Sequence, residues 1–353
     1  MPAKTTRSSE GTDDRAQVTL VVVPRERFGL TRRALEGVYA NTTEPFRLVY
    51  VGGGSPARIR RYLAREAQAR GFTLLRTDTY LAPNEARNLG LRHVQTPYVV
   101  FIDNDVVPSP GWLGKLLECA ETTGAWVVGP MYLIGEPAHE EIHMAAGDAH
   151  FEEGRGGRRF VERHRFAGKR PAEVRRHLVR MPCEQVEFHC MLVRTEAFEA
   201  LGALDEELRS VCEHSDLCLL VRQHGSQVYF EPDSVVTYIT TGRFQWPDYR
   251  FFFERWSESW NETSVERFRE KWALHPDDPG TKSIERWATA HRRIPLEPLR
   301  RGLRRLFGWR WGQWLGETVL LGLELRINRY LVRPLPPSSR RRIAAPGSVR
   351  GPR

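Results

Sequence analysis

The chain has no Cys-x-x-Cys pair and only five cysteines among its 353 residues. They are Cys119, Cys183, Cys190, Cys212 and Cys218. An odd, unpaired set argues against a disulfide framework or a zinc ribbon and for a reducing compartment. No apolar segment opens the chain, so no secretory signal is expected. No run of about 18 apolar residues appears, so no membrane-spanning helix is expected. There is no internal repeat. Lysine is absent from Arg292 onward, where fifteen Arg and three Glu give +12, which leaves −3 for the rest of a chain of net charge +9. The body is therefore mildly acidic, and no nucleic-acid partner is expected for it. The basic tail suits an anionic membrane surface, with RNA as the weaker alternative. What is present is an ordinary globular composition, 41% hydrophobic and 27% charged. A core of that size needs neither disulfides nor a structural metal.

After a polar stretch over residues 1–16, read as a disordered tail, a regular pattern begins. Val18 to Val23 is a continuous apolar run ending at Pro24, which suits a buried parallel strand. Thr31 to Ala40 reads as a helix with Thr31 as its N-cap. Phe46 to Val51 reads as a second strand, closed by Gly52-Gly53-Gly54-Ser55-Pro56. Ala57 to Arg70 reads as a helix with Ile59, Leu63 and Ala67 on one face. A short strand from Phe72 to Leu75 follows, then a helix from Asn84 to Val94 started by Pro83. Tyr98 to Ile102 is a fourth strand that runs into Asp103-Asn104-Asp105. Alternating strands and helices with short links imply right-handed βαβ units around a mainly parallel sheet, an α/β fold. Ligands of such sheets sit beyond the carboxyl ends of the strands. The glycine turn and the acidic triplet both fall there.

Residues 135–183, rich in Arg, His, Gly and Glu, read as an insertion or mobile loop over that edge. Further on, Phe188 to Val193 and Val228 to Glu231 read as strands. Thr195 to Leu201 and Ser215 to His224 read as helices, and the aromatic stretch Tyr249 to Trp272 as helical.

Asp103 and Asp105, one residue apart at a strand end, can both reach a hard divalent cation, Mn²⁺ or Mg²⁺. Such an ion would bridge a diphosphate and neutralise a leaving nucleotide. The competing interpretation of the triplet is a plain turn.

The ordered series around this triplet resembles family 2 glycosyltransferases of the GT-A fold. It comprises Glu85-Ala86-Arg87-Asn88-Leu89-Gly90-Leu91, Pro97 through Asp105, and Pro110-Gly111-Trp112-Leu113. It continues with Leu192-Val193-Arg194-Thr195-Glu196-Ala197-Phe198, Gly202-Ala203-Leu204-Asp205-Glu206 and Glu213-His214-Ser215-Asp216-Leu217. The likeness spans about Val18 to Tyr238. It implies a nucleotide-diphosphate-sugar donor, an acceptor hydroxyl and an inverting single displacement. It further implies donor contacts from Pro24, Arg25, Glu26, Gly52, Gly53, Arg87, Asn88, Asp103 and Asn104, with Asp103 and Asp105 at the metal. Trp112 reads as packing rather than sugar binding.

Three positions depart from the family. The turn after the second strand, Gly52-Gly53-Gly54-Ser55, lacks the acidic residue that reads the base. His214 stands where the family has its catalytic Asp, so the base is left among His214, Glu213 and Asp216, and Asp216 competes as a helix cap. Tyr238 stands where many relatives place a metal-binding His; His189 and His143 are alternative ligands by residue type alone.

The expected organisation is a GT-A-like domain over residues 17–272 and an Arg-rich helical extension over 273–353. In that extension Trp309, Trp311, Trp314 and the Leu-rich run from Leu315 suit either a membrane interface or packing on the domain. A glycan or lipid-linked acceptor and a cytoplasmic location, at the inner face of a membrane if the tail binds one, complete the expectation. Its chief rival is a non-catalytic nucleotide-sugar or glycan-binding module on the same fold.

Overall fold

Val18–Val23 (β2) is the middle of the parallel half of one large sheet, and every one of its residues is buried. The structure, a computed structural model, describes residues 4–6, 16–154, 157–242 and 244–331. A short edge strand, Lys4–Thr6 (β1), precedes β2 inside the stretch expected to be disordered. The rest of that stretch, and the basic tail beyond 331, lie outside the described residues. Helix α1 (Thr31–Asn41), β3 (Phe46–Gly53), α2 (Ala57–Arg70), β4 (Thr73–Thr77), α3 (Pro83–Leu91) and β5 (Tyr98–Asp103) follow in βαβ alternation. Strand β2 pairs in parallel with β3 on one side and β5 on the other. Both faces of β2 and β5 are covered, so they read as nearly continuous apolar runs; each fully buried Val or Leu contributes about 1.5–3 kcal/mol. Gly90 lets α3 lie close on β2, since a Cβ there would stand 2.4 Å from Val21.

The chain then adds β6 (Val106–Pro108), α4 (Trp112–Thr123), β7 (Val127–Ile134) and β8 (Glu141–Met144). A hairpin, β9 (Gly147–Gly154) and β10 (Gly157–His164), forms a separate two-stranded sheet. After α5 (Pro171–Val174) come β11 (Met181–Cys183), β12 (Cys190–Arg194), α6 (Glu196–Leu201), α7 (Glu213–Gln223) and β13 (Val228–Tyr238). The strand order of the large sheet is β1-β4-β3-β2-β5-β12-β7-β13-β11. Strand β12 runs antiparallel to both β5 and β7, which ends the parallel half beside the acidic triplet.

Four expectations are corrected. Residues 135–183 are not a loop: β8 extends the main sheet and the β9–β10 hairpin covers a second core. Phe160 of that hairpin packs with Phe268, and its neighbour Phe151 packs against Trp272. Thr31 is not the N-cap of α1; Leu30 holds that place, and the Thr31 hydroxyl accepts from Tyr50 and Asn104 inside the core. The last strand runs to Tyr238 rather than Glu231, through an irregularity between Glu231 and Val235. The aromatic stretch forms two helices, α8 (Trp246–Arg255) and α9 (Glu258–Lys271), because the Ser257 hydroxyl caps α9.

The C-terminal extension begins with α10 (Pro279–Arg292), packed on α9 and β10. Helix α11 (Glu297–Leu315) is kinked at Gly308 and continues through a π turn, 316–320, into α12 (Leu321–Leu331). Arg292 Nε lies 2.9 Å from Glu324 with both side chains buried, and Asn328 donates to the carbonyl of Phe253. Among the described residues no helix is long and apolar enough to cross a membrane. All five cysteines are buried and free.

Candidate active site

The buried strand β5 ends at Asp103, and hydrogen bonds to two neighbouring strands fix that end. The Asp103 N–H donates to the carbonyl of His189 just before β12, and the Asn104 N–H to that of Val23. The sheet register therefore sets His189 across from Asp103, with Arg25 above from the turn after β2. Asp103 lies 3.3 Å from Arg25 Nη1, 3.4 Å from Arg87 Nη2 and 3.3 Å from His189 Nδ1. Burial pushes its carboxyl up, but His189, Arg25 and Arg87 outweigh that and hold it below the ordinary carboxylate range.

Asp105 is treated differently. Both of its oxygens are buried and neither has a hydrogen-bond partner. Burial, with Asp103 and Glu26 nearby, pushes its carboxyl well up. A buried carboxylate with no donor is costly unless a cation faces it. One ligand atom each from Asp103, Asp105 and His189 lies within 4.8 Å of the others. Two carboxylate oxygens and one imidazole nitrogen suit Mn²⁺ or a similar divalent ion. The His189 ring is fully buried; burial and Arg25 push it down to about 4, which leaves it neutral and able to ligate. It lies against Tyr238, with ring centroids 4.2 Å apart. Tyr238 spends its hydroxyl on Glu26, 3.1 Å away.

The remaining expected residues divide. Arg25 and Arg87 do converge on Asp103, and Pro24 closes β2 beside them. Arg87 is buried, stacks 4.0 Å from the Phe188 ring and donates to Asn84. Glu26 is held by His291 of α10 at 2.9 Å and by Tyr238, so its side chain anchors the C-terminal helices. Burial alone would raise the Glu26 carboxyl, but His291 and Arg25 hold it well below the usual range.

Asn104 is occupied by the protein. It accepts from the Arg25 N–H and donates to the Arg27 carbonyl and Thr31, which pins the loop after β2. Asn88 is likewise occupied, by both backbone groups of Leu204 and by Glu206. Gly52 and Gly53 lie at the end of β3, where a Cβ on Gly53 would meet Leu81 at 3.1 Å. The positive φ belongs to Gly54, against Tyr80. Trp112 is fully buried and donates to Thr42.

The three candidate bases, at the start of α7, are not equivalent. Cys212 precedes them in the left-handed region, φ +68. Glu213 is buried between Arg255 at 3.2 Å and Arg87 at 3.9 Å. Asp216 accepts from Lys271 at 2.7 Å and from Trp272 Nε1 at 2.9 Å. Its carboxylate is thus occupied at the end of α9, and Cys212, not Asp216, holds the N-cap of α7. His214 Nε2 lies 3.2 Å from Glu162 of β10. Burial lowers the His214 ring, but Glu162 more than compensates and raises it above its ordinary value.

Sequence reasoning missed Glu162, His164, Glu187 and Arg255. Glu187 adjoins His189, with its Oε2 3.0 Å from His143 Nε2 and its Oε1 3.6 Å from His164 Nε2. The available signal was Glu187-Phe188-His189 just ahead of an apolar strand, in a turn closed by the Cys190 N–H on the Glu187 carbonyl.

The profile of glycosyl transferase family 2 matches residues 20–202. A pre-mycofactocin glycosyltransferase of Mycobacterium tuberculosis is 27% identical over 157 residues, covering 44% of this chain and 30% of that protein. An uncharacterised protein, y4gI, of Sinorhizobium fredii is 23% identical over 268 residues, covering 73% of this chain and 28% of the relative. The chain thus spans under a third of the length of these curated relatives. The crystal structure of GalNAc-T7 with UDP, GalNAc and Mn²⁺ superposes with a TM-score of 0.51 at 14% identity, covering 83% of this chain and 58% of that one. The fold is the GT-A fold expected from the sequence.

Proposed function

The chain belongs to glycosyl transferase family 2, and from that premise we propose that it transfers a sugar from a nucleotide-diphosphate donor to an acceptor hydroxyl with a divalent cation, Mn²⁺ or Mg²⁺. The observation that carries this reading is the unpartnered, buried Asp105 carboxylate beside Asp103 and His189. A cation bound there would supply positive charge to the diphosphate as the sugar leaves. Arg25 orients Asp103 and is the less buried of its two arginine partners, so it is the one able to meet a phosphate as well. Arg87 holds Asp103 from below and keeps Glu213 in place. His214, in its neutral form, takes the acceptor proton. Of the three candidate bases it alone has a ring nitrogen against a carboxylate that can orient it, as Glu162 does. Direct displacement with this base on the acceptor side gives inversion at the sugar carbon.

The mixed Trp and Arg surface of α11 supports a membrane-proximal acceptor, lipid-linked or glycan, and a location at the inner face of a membrane. Leu306, Trp309, Trp311 and Trp314 are all more than half exposed, and Arg301, Arg305 and Arg310 are exposed beside them. The decisive test is donor turnover with a panel of nucleotide sugars, with and without Mn²⁺. Ligand binding without turnover in the presence of acceptors would mark the protein as a binding module instead.

A further inference from the structure

Three histidines turn a ring nitrogen toward one carboxylate beside the acidic pair. The Nε2 atoms of His143, His164 and His189 lie 3.0, 3.6 and 3.8 Å from the Glu187 oxygens. They come from separate elements: β8, the end of β10 and the segment entering β12. Ligands bound to one Zn²⁺ at about 2.0–2.2 Å stand roughly 3–3.7 Å apart, and one ligand atom each from His143, Glu187 and His189 lies within 4.8 Å of the others. A hydrogen-bonded network would show aligned N–H groups. Instead, Glu187 Oε2 is buried without a hydrogen-bond partner despite His143 at 3.0 Å.

We propose that His143, Glu187 and His189 form a nitrogen-rich transition-metal site beside the acidic pair, with His164 Nε2, 3.6 Å from the other Glu187 oxygen, in reach to complete it. The ligand class differs from that of Asp103 and Asp105: three imidazoles and one carboxylate select a borderline cation such as Zn²⁺ over Mg²⁺. His189 stands between the two sites, Nδ1 toward Asp103 and Nε2 toward Glu187. A neutral ring has one lone pair, so His189 serves one ion at a time. The supporting shell is built. The Tyr132 hydroxyl donates to the Glu187 carbonyl and accepts from its N–H, which fixes the segment that carries the carboxylate. His143 and His164 are 21% and 27% exposed, which gives an ion a path from solvent.

Cobalt(II) titration of the metal-free full chain, followed by visible absorption, tests this. The wild type is expected to develop the intense bands of low-coordinate cobalt, and Zn²⁺ to displace them. The His143→Ala/His164→Ala variant is expected to lose the bands and to bind Zn²⁺ at least about tenfold more weakly, a cost that even outer-shell changes reach. Asp105→Asn is expected to keep them. No bands in the wild type, bands that persist in the double variant, or bands lost only in Asp105→Asn would each overturn the proposal. Circular dichroism of the metal-free proteins checks folding, and His164→Gln, at a part-exposed position, repeats the test if the double variant is unfolded. Cobalt bands with no sugar transfer under any condition would sink the transferase reading and leave this site standing.

Discussion

Asp105 stands two residues beyond Asp103 at the same strand end, yet Asp103 has Arg25, Arg87 and His189 within 3.4 Å while the Asp105 oxygens have no hydrogen-bond partner. In the metal-free protein Asp105 is therefore a cost. Its folded-state pKa is raised, so the native state holds a proton that the unfolded chain releases above about pH 3.9. The penalty is absent below that value and grows as pH rises. Asp105→Asn should accordingly raise the metal-free melting temperature at pH 7 by several degrees, for about 1–3 kcal/mol, and by little at pH 4. The same change should abolish the stabilisation by Mn²⁺, about 2.7 kcal/mol at a hundredfold excess over Kd. It should cut donor turnover by about 10²–10³-fold. Calorimetry with and without Mn²⁺ and a turnover assay give all three readouts. An unchanged Mn²⁺ shift in the variant would count decisively against the site.

His214 and Glu162 set a second pH dependence. The His214 ring is raised, so its stabilisation is complete below about pH 6.5 and is lost as pH climbs through the folded value. Burial pushes Glu162 up, but His214 and His164 hold it low, so its share is present above about pH 4.3 and lost in acid. Glu187 and Glu213 also act on the ring and reinforce its charge. The His214→Gln penalty should be largest between these limits, a few degrees for a charge-assisted bond of about 1.5–3 kcal/mol, and should shrink by pH 8.5. A penalty that stays constant from pH 5.5 to 8.5 would refute the pairing.

The C-terminal helices are joined by a buried ion pair, and breaking half of it should be worse than removing both members. Glu324→Ala leaves the Arg292 guanidinium buried, with Glu258 3.9 Å away, and should cost about 3–5 kcal/mol. Replacing both residues with Met and Leu should restore much of that. Chemical denaturation and limited proteolysis around α12 report the result.

Vesicle co-sedimentation tests the α11 surface. Trp309→Ser/Trp311→Ser/Trp314→Ser should reduce binding to anionic vesicles by tenfold or more, at about 1.5–3 kcal/mol per large apolar side chain. Neutral vesicles should bind weakly in both forms. Equal binding by wild type and variant would remove the membrane reading.

The parallel half of the fold was legible because its strands are buried on both faces, so apolar runs such as Val18–Val23 and Tyr98–Ile102 announce themselves. The β9–β10 hairpin was not. Its strands carry charge, with Glu152 opposite Arg159, and its apolar cover rests on a few residues such as Phe151 and Phe160. The carboxylates of the site were legible because Asp103 and Asp105 are sequence neighbours at a strand end. His143, His164 and Glu187 meet only through tertiary packing. At Asn88 and Asn104 the sequence alone does not separate a ligand contact from loop fixing; each amide here satisfies backbone groups of a neighbouring loop.

Glu26, at the sheet edge expected to meet the nucleotide, grips His291, 265 residues further along. A shortened chain that stops at the end of α9 would discard that anchor along with the helices. It would leave a carboxylate seeking another partner at the donor cleft. Lesions in the distal helices should therefore be scored in a genetic screen as alleles of substrate affinity, although they lie far outside the matched family segment.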